Sequence, residues 1–515
     1  MGMSRNKLLY LLTLLAVLGA TLGFTILSEY RDVPRYHQHL EQPSEADLGP
    51  NTDTSDFVTH LPILQIDTGG QTIPGAAILD QNGVQVGYET TPEGADEILV
   101  RLSVTDTPNE YHRLSDTPTM ESEARFRIRG NTSRLFPKAN YRIKLVDEED
   151  PTRDRDLPLL GMDSGNEWAL HGPYLDKTLM RNYLCMNLSA EIMGDAPDVR
   201  FCEVFVNGEY RGVYLLMETI TEGPGRVELT EYEEGDPVFS YMFRIEAQKS
   251  FLPTGSNVLD NFSFYTLRLE DNARVEVLYP STRYQTPEVL NYINTDLSEI
   301  ERRLYSREMD QNPESCWDYL DMESFANYYI LQEFFGINDM FSASTYFYKD
   351  VRGKLHIGPV WDYNNALNNY IIQMPENEFL LSQKGWYGQL MRSERFVEYV
   401  IARYHALRQH FLSDEYLTNY VTDVKTWLGS AVNRNFSVWG YTFDVTKLSV
   451  WERQRPGTDR VSSMEELRQL NPSSYDEALE MMLEYAVDRG AWMDEAVESL
   501  RQYCHPSKNA YSMYD

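Results

Sequence analysis

Apolar and polar residues alternate with a period of two in the first half of the chain, which predicts a region rich in β-strands. The alternation recurs in several short runs between residues 61 and 147, and glycine and proline residues separate these runs. Two further apolar runs meet at Asn207 and Gly208, a dipeptide that favours the tight turn of a β-hairpin. More strands are predicted near residues 238–245 and 262–278.

Helical spacing of apolar residues dominates the second half of the chain. A first helical pattern follows Asp176, which we interpret as an N-cap, and Gly194 ends it. The later helices are predicted over residues 286–306, 321–335, 393–411, 414–432 and 473–503. We therefore predict an α+β fold with a β-rich N-terminal lobe over about residues 61–220 and a helical C-terminal lobe after it.

The N-terminal segment has the composition of a membrane-spanning helix. Residues 8–27 carry no charge, and Arg5 and Lys7 precede them. A helix of this length spans about 30 Å, the thickness of the hydrocarbon core of a bilayer. Because basic residues stay on the cytoplasmic side, we predict a single-pass membrane protein with its N-terminus in the cytoplasm and its bulk outside. Cleavage of residues 1–27 as a signal segment, followed by secretion, is the alternative. The polar residues 28–60 are predicted to form a linker.

The composition of the 515-residue chain excludes two classes of protein. Apolar residues make up 42% of the sequence, which is too many for a disordered chain. The chain has 46 Lys and Arg against 79 Asp and Glu, and its formal charge of −33 repels the backbone of nucleic acids. We therefore predict a globular protein that binds no nucleic acid. The four cysteines form no CxxC pair and are predicted to be buried thiols, although a bridge between Cys185 and Cys202 is left open.

Two aspartates flank a second predicted hairpin. A helix is predicted to end at Gly336, and Asp339 follows it in a loop. Residues 345–349 and 355–360 form the two predicted strands, and Asp362 comes directly after the second. Because a hairpin brings its two ends together, we expect both carboxylates in one site. Protein kinases use the same order, with one acid orienting the attacking hydroxyl and the other binding Mg²⁺. A helix-end cap and an ordinary turn residue are the alternative roles.

Charged residues in the β-rich lobe fit the binding of a nucleotide. A polar turn at Gly130 suits the close approach of a phosphate, and Lys144 on the returning strand suits its neutralisation; a solvated strand face is the alternative. Glu218 suits either a ribose hydroxyl or a cap of the segment that follows it. Arg181 suits either an acid near the phosphates or a solvent-exposed helix face. His171 is interpreted as structural, because no His or Cys lies at metal-ligand spacing from it.

The segments that contain these residues resemble the spore-coat protein H (CotH) kinase family. The matching segments are RIRGNTSRLFPKANYRIKL, LHGPYLDKTLMRNYLCMNLSAEI, CEVFVNGEYRGVYLLMETI, FGINDMFSASTYFYKDVRGKLHIGPVWDYNNAL and SERFVEYVIARYHALRQHFLSDEYL. The resemblance implies an atypical protein-kinase-like fold of two lobes that binds ATP with Mg²⁺ or Mn²⁺ and phosphorylates serine or threonine in a protein. It implies a kinase-like domain over residues 61–435, followed by a C-terminal helical extension over residues 436–515.

The resemblance also implies roles for single residues. Asp339 and Asp362 match the two catalytic aspartates, with Asp362 as metal ligand and Asp339 as the acid that orients the nucleophile. Asn364 stands where the family often has an aspartate and is the second predicted metal ligand. Arg129 and Lys144 are implied to face the phosphates.

Two other functions are left open by the sequence. A catalytically inactive module on the same fold would bind a protein or a glycan at the cell surface, where ATP is scarce, and the 35 tyrosines would supply contact surfaces. A glycoside hydrolase also needs two carboxylates, but only the aspartate pair supports that function. The predicted partners of the chain are ATP, an unknown protein substrate and the membrane.

Overall fold

The structure is a computed structural model of the chain, and it describes residues 35–41, 56–247, 251, 255, 257–259, 273–313, 315–337, 339, 343–369, 375–448 and 463–505. The predicted membrane anchor over residues 1–27 and most of the predicted linker over residues 28–60 lie outside the described residues. No helix in the described part of the chain is both long and apolar enough to cross a membrane.

Seven strands of the N-terminal part form a closed β-barrel. The strands of this part are β1 Val58–Thr59, β2 Ile63–Asp67, β3 Ala77–Leu79, β4 Gln85–Tyr88, β5 Ile98–Thr105, β6 His112–Arg113, β7 Met120–Ile128, β8 Tyr141–Val146, β9 Glu167–His171, β10 Val199–Val206 and β11 Glu209–Glu218. Around the barrel the order is β10-β11-β9-β8-β7-β5-β2, and β2 closes it by pairing in parallel with β10. β1 pairs with β6, and β3 with β4, as two-stranded sheets.

Alternation along the strands fills the barrel with apolar side chains, as the sequence pattern predicts. In β8, Tyr141, Ile143 and Leu145 are buried inside the barrel, whereas Arg142 and Lys144 lie on its outer face. The closure of the barrel does not follow from the pattern, because alternation shows which face a residue occupies but not which strand lies beside it.

The turn between β10 and β11 confirms the predicted hairpin. Asn207 and Gly208 have φ values of 51° and 78°, a left-handed conformation that these two residue types adopt with little strain. The Asn207 side chain accepts a hydrogen bond from the Thr68 amide at 2.9 Å. The turn is therefore fastened to the residue that follows β2.

A second antiparallel sheet combines strands that lie far apart in the chain. It contains β12 Tyr241–Ala247, β13 Ala273–Tyr279, β14 Thr345–Lys349 and β15 Leu355–Ile357, in the order β13-β12-β14-β15. β14 has its predicted bounds, but β15 ends before residue 360 because Pro359 has no N–H to donate to the ladder. Much of the predicted strand over residues 262–278 lies outside the described residues. The pairing of β12 with β14 places Arg244 opposite Tyr346.

Three helices differ from their predictions, and one of them, predicted over residues 473–503, ends at Ala496, where a 3₁₀ turn follows it. The described helices are α1 Gln38–Glu41, α2 Arg181–Met193, α3 Pro287–Leu304, α4 Met322–Phe335, α5 Tyr387–Leu390, α6 Glu394–Arg408, α7 Asp414–Leu428, α8 Ser430–Trp439, α9 Met464–Leu470, α10 Tyr475–Ala496 and α11 Arg501–Cys504. α2 begins at Arg181, with Met180 as its N-cap, and Asp176 accepts a hydrogen bond from the Arg181 amide from outside the helix. The helix predicted over residues 414–432 is divided at Gly429, whose φ of 49° and ψ of −124° are not helical.

α2 and α4 lie in the interior of the molecule. Ten of the 13 residues of α2 and eleven of the 14 residues of α4 are buried, so neither helix has a continuous solvent face. Both belong to one apolar cluster that also includes the β12–β15 sheet, α6, α7 and α10. Barrel residues such as Phe201 and Leu215 join the same cluster. The β-rich part and the helical part therefore share a core, which confirms the α+β class.

The cysteines are free thiols, as predicted. Cys185, Cys202 and Cys316 are buried, and Cys504 is half-buried. The bridge left open between Cys185 and Cys202 does not form, because Cys185 lies in the core around α2 and Cys202 lies inside the barrel. Burial raises the pKa of both thiols, which keeps them protonated.

Glu301 of α3 is a carboxyl group inside the core. Its side chain is fully buried, and its Oε1 accepts a hydrogen bond from Trp386 Nε1 at 2.8 Å. Burial raises the pKa of Glu301 to about 7, and the bond from Trp386 opposes the rise. The folded state therefore keeps a proton that the unfolded chain loses above about pH 4.

We predict that Glu301→Gln flattens the pH dependence of stability. The proton on Glu301 stabilises the fold below the ordinary pKa of glutamate, and this contribution is lost as the pH rises from about 4 to about 7. Glutamine has no proton to lose, so the variant should be more stable than the wild type at pH 8, by up to about 3 kcal/mol. Urea unfolding at pH 4.5 and pH 8 measures the difference, which should be smallest at the lower pH.

Glu288→Gln, in the exposed first turn of the same helix, is the control and should not raise the stability at pH 8. Equal free energies of unfolding for the wild type and Glu301→Gln at pH 8 would contradict the prediction.

Candidate functional site

Asp339 and Asp362 lie on the two loops that flank the β14–β15 hairpin. α4 ends at Gly336, whose φ of 68° turns the chain out of the helix, and the loop with Asp339 follows. Asp362 comes after β15 and has φ 67° and ψ 56°, a left-handed conformation that is uncommon outside glycine. Within the described residues, five of the nine non-glycine residues with positive φ lie between residues 344 and 368. Backbone strain is therefore concentrated around the hairpin.

The two carboxylates share one electrostatic environment. Asp362 is an exposed residue, but the protein atoms around its carboxyl group partly bury that group. Its pKa is raised to about 7, first by this burial and then by the negative charges of Asp339 and Glu246, while Arg129 opposes the rise. The structure thus brings together the two acids that the sequence places at the ends of the hairpin. A proton or a cation would relieve their repulsion.

Arg129 supplies positive charge beside Asp362. The Arg129 amide donates to the Asn140 carbonyl at 2.8 Å, and the guanidinium carbon lies 5.3 Å from the centre of the Trp361 ring. Burial lowers the pKa of Arg129, and the negative charges of Asp362 and Glu167 oppose the lowering. The predicted phosphate-facing arginine therefore lies at the aspartate pair.

β12 adds charged residues that the sequence does not single out. Arg244 donates two hydrogen bonds to Glu276 Oε2 at 2.9 and 2.8 Å. Burial raises the pKa of Glu246, Arg244 opposes the rise, and the charge of Asp339 adds to it. These residues lie beside the hairpin because β12 pairs with β14. Arg244 and Tyr346, which lie opposite each other in this pairing, are 102 residues apart in the chain. No local pattern in the sequence predicts such a long-range pairing.

The first turn of α2 holds the loop that follows β15. Arg181 is 4% exposed, so the alternative of a solvent-exposed helix face is wrong. Its Nη1 pairs with Asp176 Oδ1 at 2.6 Å, and its Nε donates to the Ala366 carbonyl at 2.8 Å. The adjacent Asn182 accepts a hydrogen bond from the Tyr363 amide at 2.9 Å. Asn182 is a supporting residue that the sequence analysis misses, since nothing in the sequence places it beside residue 363.

Asn364 lies two residues after Asp362, in the 3₁₀ turn Tyr363–Asn365. Its carbonyl accepts a hydrogen bond from Asn369 Nδ2 at 2.6 Å, and its side-chain amide donates to Asn365 Oδ1 at 3.1 Å. The turn is therefore held by its own polar side chains. A role for Asn364 as a metal ligand stays a prediction.

Three other predicted residues lie in different surroundings. Lys144 Nζ pairs with Asp154 at 2.8 Å on the outer face of the barrel. Glu218 is 3% exposed and accepts a hydrogen bond from the Asp198 amide at 2.9 Å. Burial lowers the pKa of His171 to about 4, which keeps the ring neutral at pH 7. These contacts do not include either aspartate of the hairpin.

The carboxylate oxygens at the hairpin suit a hard divalent cation such as Mg²⁺. A bound ligand with phosphate groups would fill the remaining coordination positions of such a cation. In the described parts of the chain, no three His, Cys, Asp or Glu side chains are close enough to hold a metal ion by themselves. Mg²⁺ is usually bound through one or two carboxylates together with substrate phosphates. Asp362 meets this requirement, because it is a carboxylate beside the negative charge of Asp339, and a bound cation would relieve the repulsion between them.

Comparison with known proteins gives one family match. The model of a family described as CotH kinase protein matches residues 126–493, which include Arg129 and both aspartates of the hairpin. This match confirms the resemblance that the sequence motifs indicate. No curated protein matches the chain.

We predict that Asp339→Asn lowers the pKa of Asp362. The substitution removes a negative charge that helps to raise this pKa, so the Asp362 carboxyl should ionise below pH 7. Carbon-13 NMR of aspartate-labelled protein follows the titration, and Asp362→Asn identifies the resonance. Asp350→Asn, in the turn of the same hairpin, is the control and should leave the midpoint in place. An unchanged midpoint in Asp339→Asn would show that the two carboxylates are not coupled.

Proposed function

Because this chain belongs to the CotH kinase protein family, we propose that it is an atypical protein kinase that transfers a phosphoryl group from ATP to a serine or threonine of another protein. The observation that carries the proposal is the coupled pair of Asp339 and Asp362 at the ends of the β14–β15 hairpin, with Arg129 beside it. Phosphoryl transfer needs little covalent chemistry from the protein, so a few positioned charges account for most of the catalysis.

Asp362 is the proposed ligand for Mg²⁺ or Mn²⁺, with Asn364 as the second. A divalent cation held there would supply positive charge that neutralises the phosphates of ATP. Asp362 would be ionised in the metal-bound state, although its pKa of about 7 keeps much of it protonated in the free protein at neutral pH. Asn364 brings no charge, so Asp362 would supply most of the affinity.

Asp339 is the proposed acceptor for the proton of the substrate hydroxyl. Its side chain is exposed on the loop between α4 and β14, where a protein substrate is able to reach it. A carboxylate within hydrogen-bond distance of the hydroxyl orients the attacking oxygen and takes its proton. The Ala343 amide donates to the Asp339 carbonyl at 2.8 Å, which holds this loop just before β14.

Arg129 is the proposed ligand for the phosphates. A guanidinium group binds phosphate oxygens with two parallel hydrogen bonds, and Arg129 lies beside the proposed metal ligand. Lys144 would add positive charge from the outer face of the barrel. Burial raises the pKa of Glu167 there, but the hydrogen bond and charge of Arg142, followed by the charges of Arg129 and Lys144, lower it overall. Arg181 and Glu218 are left out of the nucleotide contacts, because Arg181 supports a loop and Glu218 binds a backbone amide.

We further propose that the barrel and the helical part act as the two lobes of a kinase-like fold. Arg129 belongs to the barrel side and the two aspartates to the other side, so the candidate site draws residues from both parts. The uncharged residues 8–27 support a location outside the cytoplasm, either anchored in the membrane or secreted after cleavage.

Nucleotide binding tests the proposed function. We predict that the full chain binds ATP in calorimetry only when Mg²⁺ or Mn²⁺ is present, and that Asp362→Asn weakens this binding by at least about tenfold, because it removes the charged metal ligand. Asp350→Asn makes the same change of charge in the turn of the same hairpin and should bind like the wild type.

Binding that depends on both the metal and Asp362 would justify a search for the phosphorylated substrate. A folded protein that binds no ATP with either metal would refute the kinase proposal and favour the inactive surface module.

A second prediction separates the phosphate contact from the metal contact. Arg129→Met should weaken the binding of the metal–ATP complex, because a phosphate ligand is lost. The same variant should strengthen the binding of Mn²⁺ alone, since a cation no longer repels the metal from Asp362. Electron paramagnetic resonance of free Mn²⁺ measures the second affinity, and calorimetry measures the first. Weakening of both affinities would instead assign Arg129 to the support of the fold.

A further inference from the structure

A buried ion pair joins the long helix α10 to the last turns of α4. The side chains of Arg489 in α10 and Glu333 in α4 are both fully buried, and Arg489 Nη2 lies 2.8 Å from Glu333 Oε2. Such a pair is tolerated inside a protein only when hydrogen bonds satisfy its other polar atoms. The partners of those atoms therefore show what the pair holds together.

The other polar atoms of the pair bind the backbone of residues 375–381. Arg489 Nε donates to the Glu333 carbonyl at 2.9 Å, and its Nη1 donates to three carbonyls of this segment at 3.5, 2.9 and 2.8 Å. The carboxylate of Glu333 accepts hydrogen bonds from two amides of the same segment at 2.9 and 2.7 Å. The five backbone partners are Pro375, Glu376, Glu378, Leu380 and Leu381. The pair thus ties α4, α10 and this segment together.

Both aspartate loops are attached to the same end of α4. Gly336 ends the helix and leads to Asp339. The Leu367 amide, in the loop after β15, donates to the Phe335 carbonyl at 2.7 Å. Tyr485 of α10 packs so closely on Gly336 that a Cβ atom there would collide with its hydroxyl oxygen. A shift of this helix end would therefore move both loops.

We infer that Arg489 is a positioning residue for Asp339 and Asp362, an inference that rests on the proposed function. It contacts neither aspartate; it fixes the last turns of α4, from which one loop starts and to which the other is bonded. The family match ends at residue 493, inside α10, which agrees with a role of this helix in the kinase unit. The extension predicted over residues 436–515 therefore contains part of the support of the site.

A second ion pair of the same kind provides a matched control. Arg434 of α8 and Glu203 of β10 are equally buried, with 2.9 Å between Arg434 Nε and Glu203 Oε1. Arg434 also donates to the hydroxyl groups of Ser430 and Thr59. This pair joins α8 to the barrel and makes no contact with α4 through these bonds. Arg434→Lys thus removes a guanidinium at the same depth in another part of the core.

The experiment compares the full-length wild type with Arg489→Lys and Arg434→Lys. Lysine keeps the charge but does not reproduce the forked hydrogen bonds of arginine. We expect Arg489→Lys to weaken Mn²⁺–ATP binding by about tenfold, as is typical when the support of a metal ligand is lost. Arg434→Lys should stay within about twofold of the wild type. Hydrogen exchange should become faster over residues 336–345 and 362–369 in Arg489→Lys alone.

The outcomes separate this inference from the proposed function. Wild-type affinity in Arg489→Lys, or an equal loss in both variants, would overturn the inference and leave the proposed function standing. A wild-type protein that binds no metal–ATP complex would overturn both. If Arg489→Lys does not fold, Tyr485→Leu replaces it with the same expectations, because it loosens the contact of α10 with Gly336.

Discussion

The candidate site depends on the buried C-terminal end of α4, because the loops with Asp339 and Asp362 are both attached to it. A helix end leaves several carbonyl groups without partners inside the helix, and a buried end must satisfy them elsewhere. In this protein the Leu367 amide binds the Phe335 carbonyl, and Arg489 binds the Glu333 carbonyl. The hydrogen bonds that satisfy the end of α4 are thus the same ones that hold the loop after β15 and helix α10. A change that destabilises the end of α4 would therefore also change the positions of the loops that carry Asp339 and Asp362.

Charge imposes a second requirement on the architecture. The two aspartates of the hairpin repel each other, and strand β12 brings a further acid, Glu246. Arg129, which opposes this repulsion, comes from the end of β7 in the barrel. The two parts of the chain must therefore meet before the charges balance. One apolar core runs through both parts of the chain and holds them together.

Elements that form through residues close together in the chain are predictable from this sequence. Features that form through contacts between distant residues are not. The hairpin at Asn207 and Gly208, and the strand β14, follow from short patterns that contain their own turn residues. Other features depend on contacts between residues that are far apart in the chain. They are the closure of the barrel, the burial of Arg181 and the position of Glu246 near Asp339. The aspartate pair could be predicted because one hairpin joins its members. The support from Arg489 could not, since helical spacing identifies a buried face but not its partner.

The parallel pairing of β2 with β10 also governs the order in which the protein is able to fold. Ile63 lies opposite Glu203, so the barrel stays open until nearly the whole β-rich part of the chain is available. Contacts between such distant residues form slowly, because the closure of a long loop costs entropy before the contact is made. During that interval β2 presents an unpaired edge that other chains are able to join. The contact that closes the barrel is therefore also the one that covers the last unpaired edge of β2.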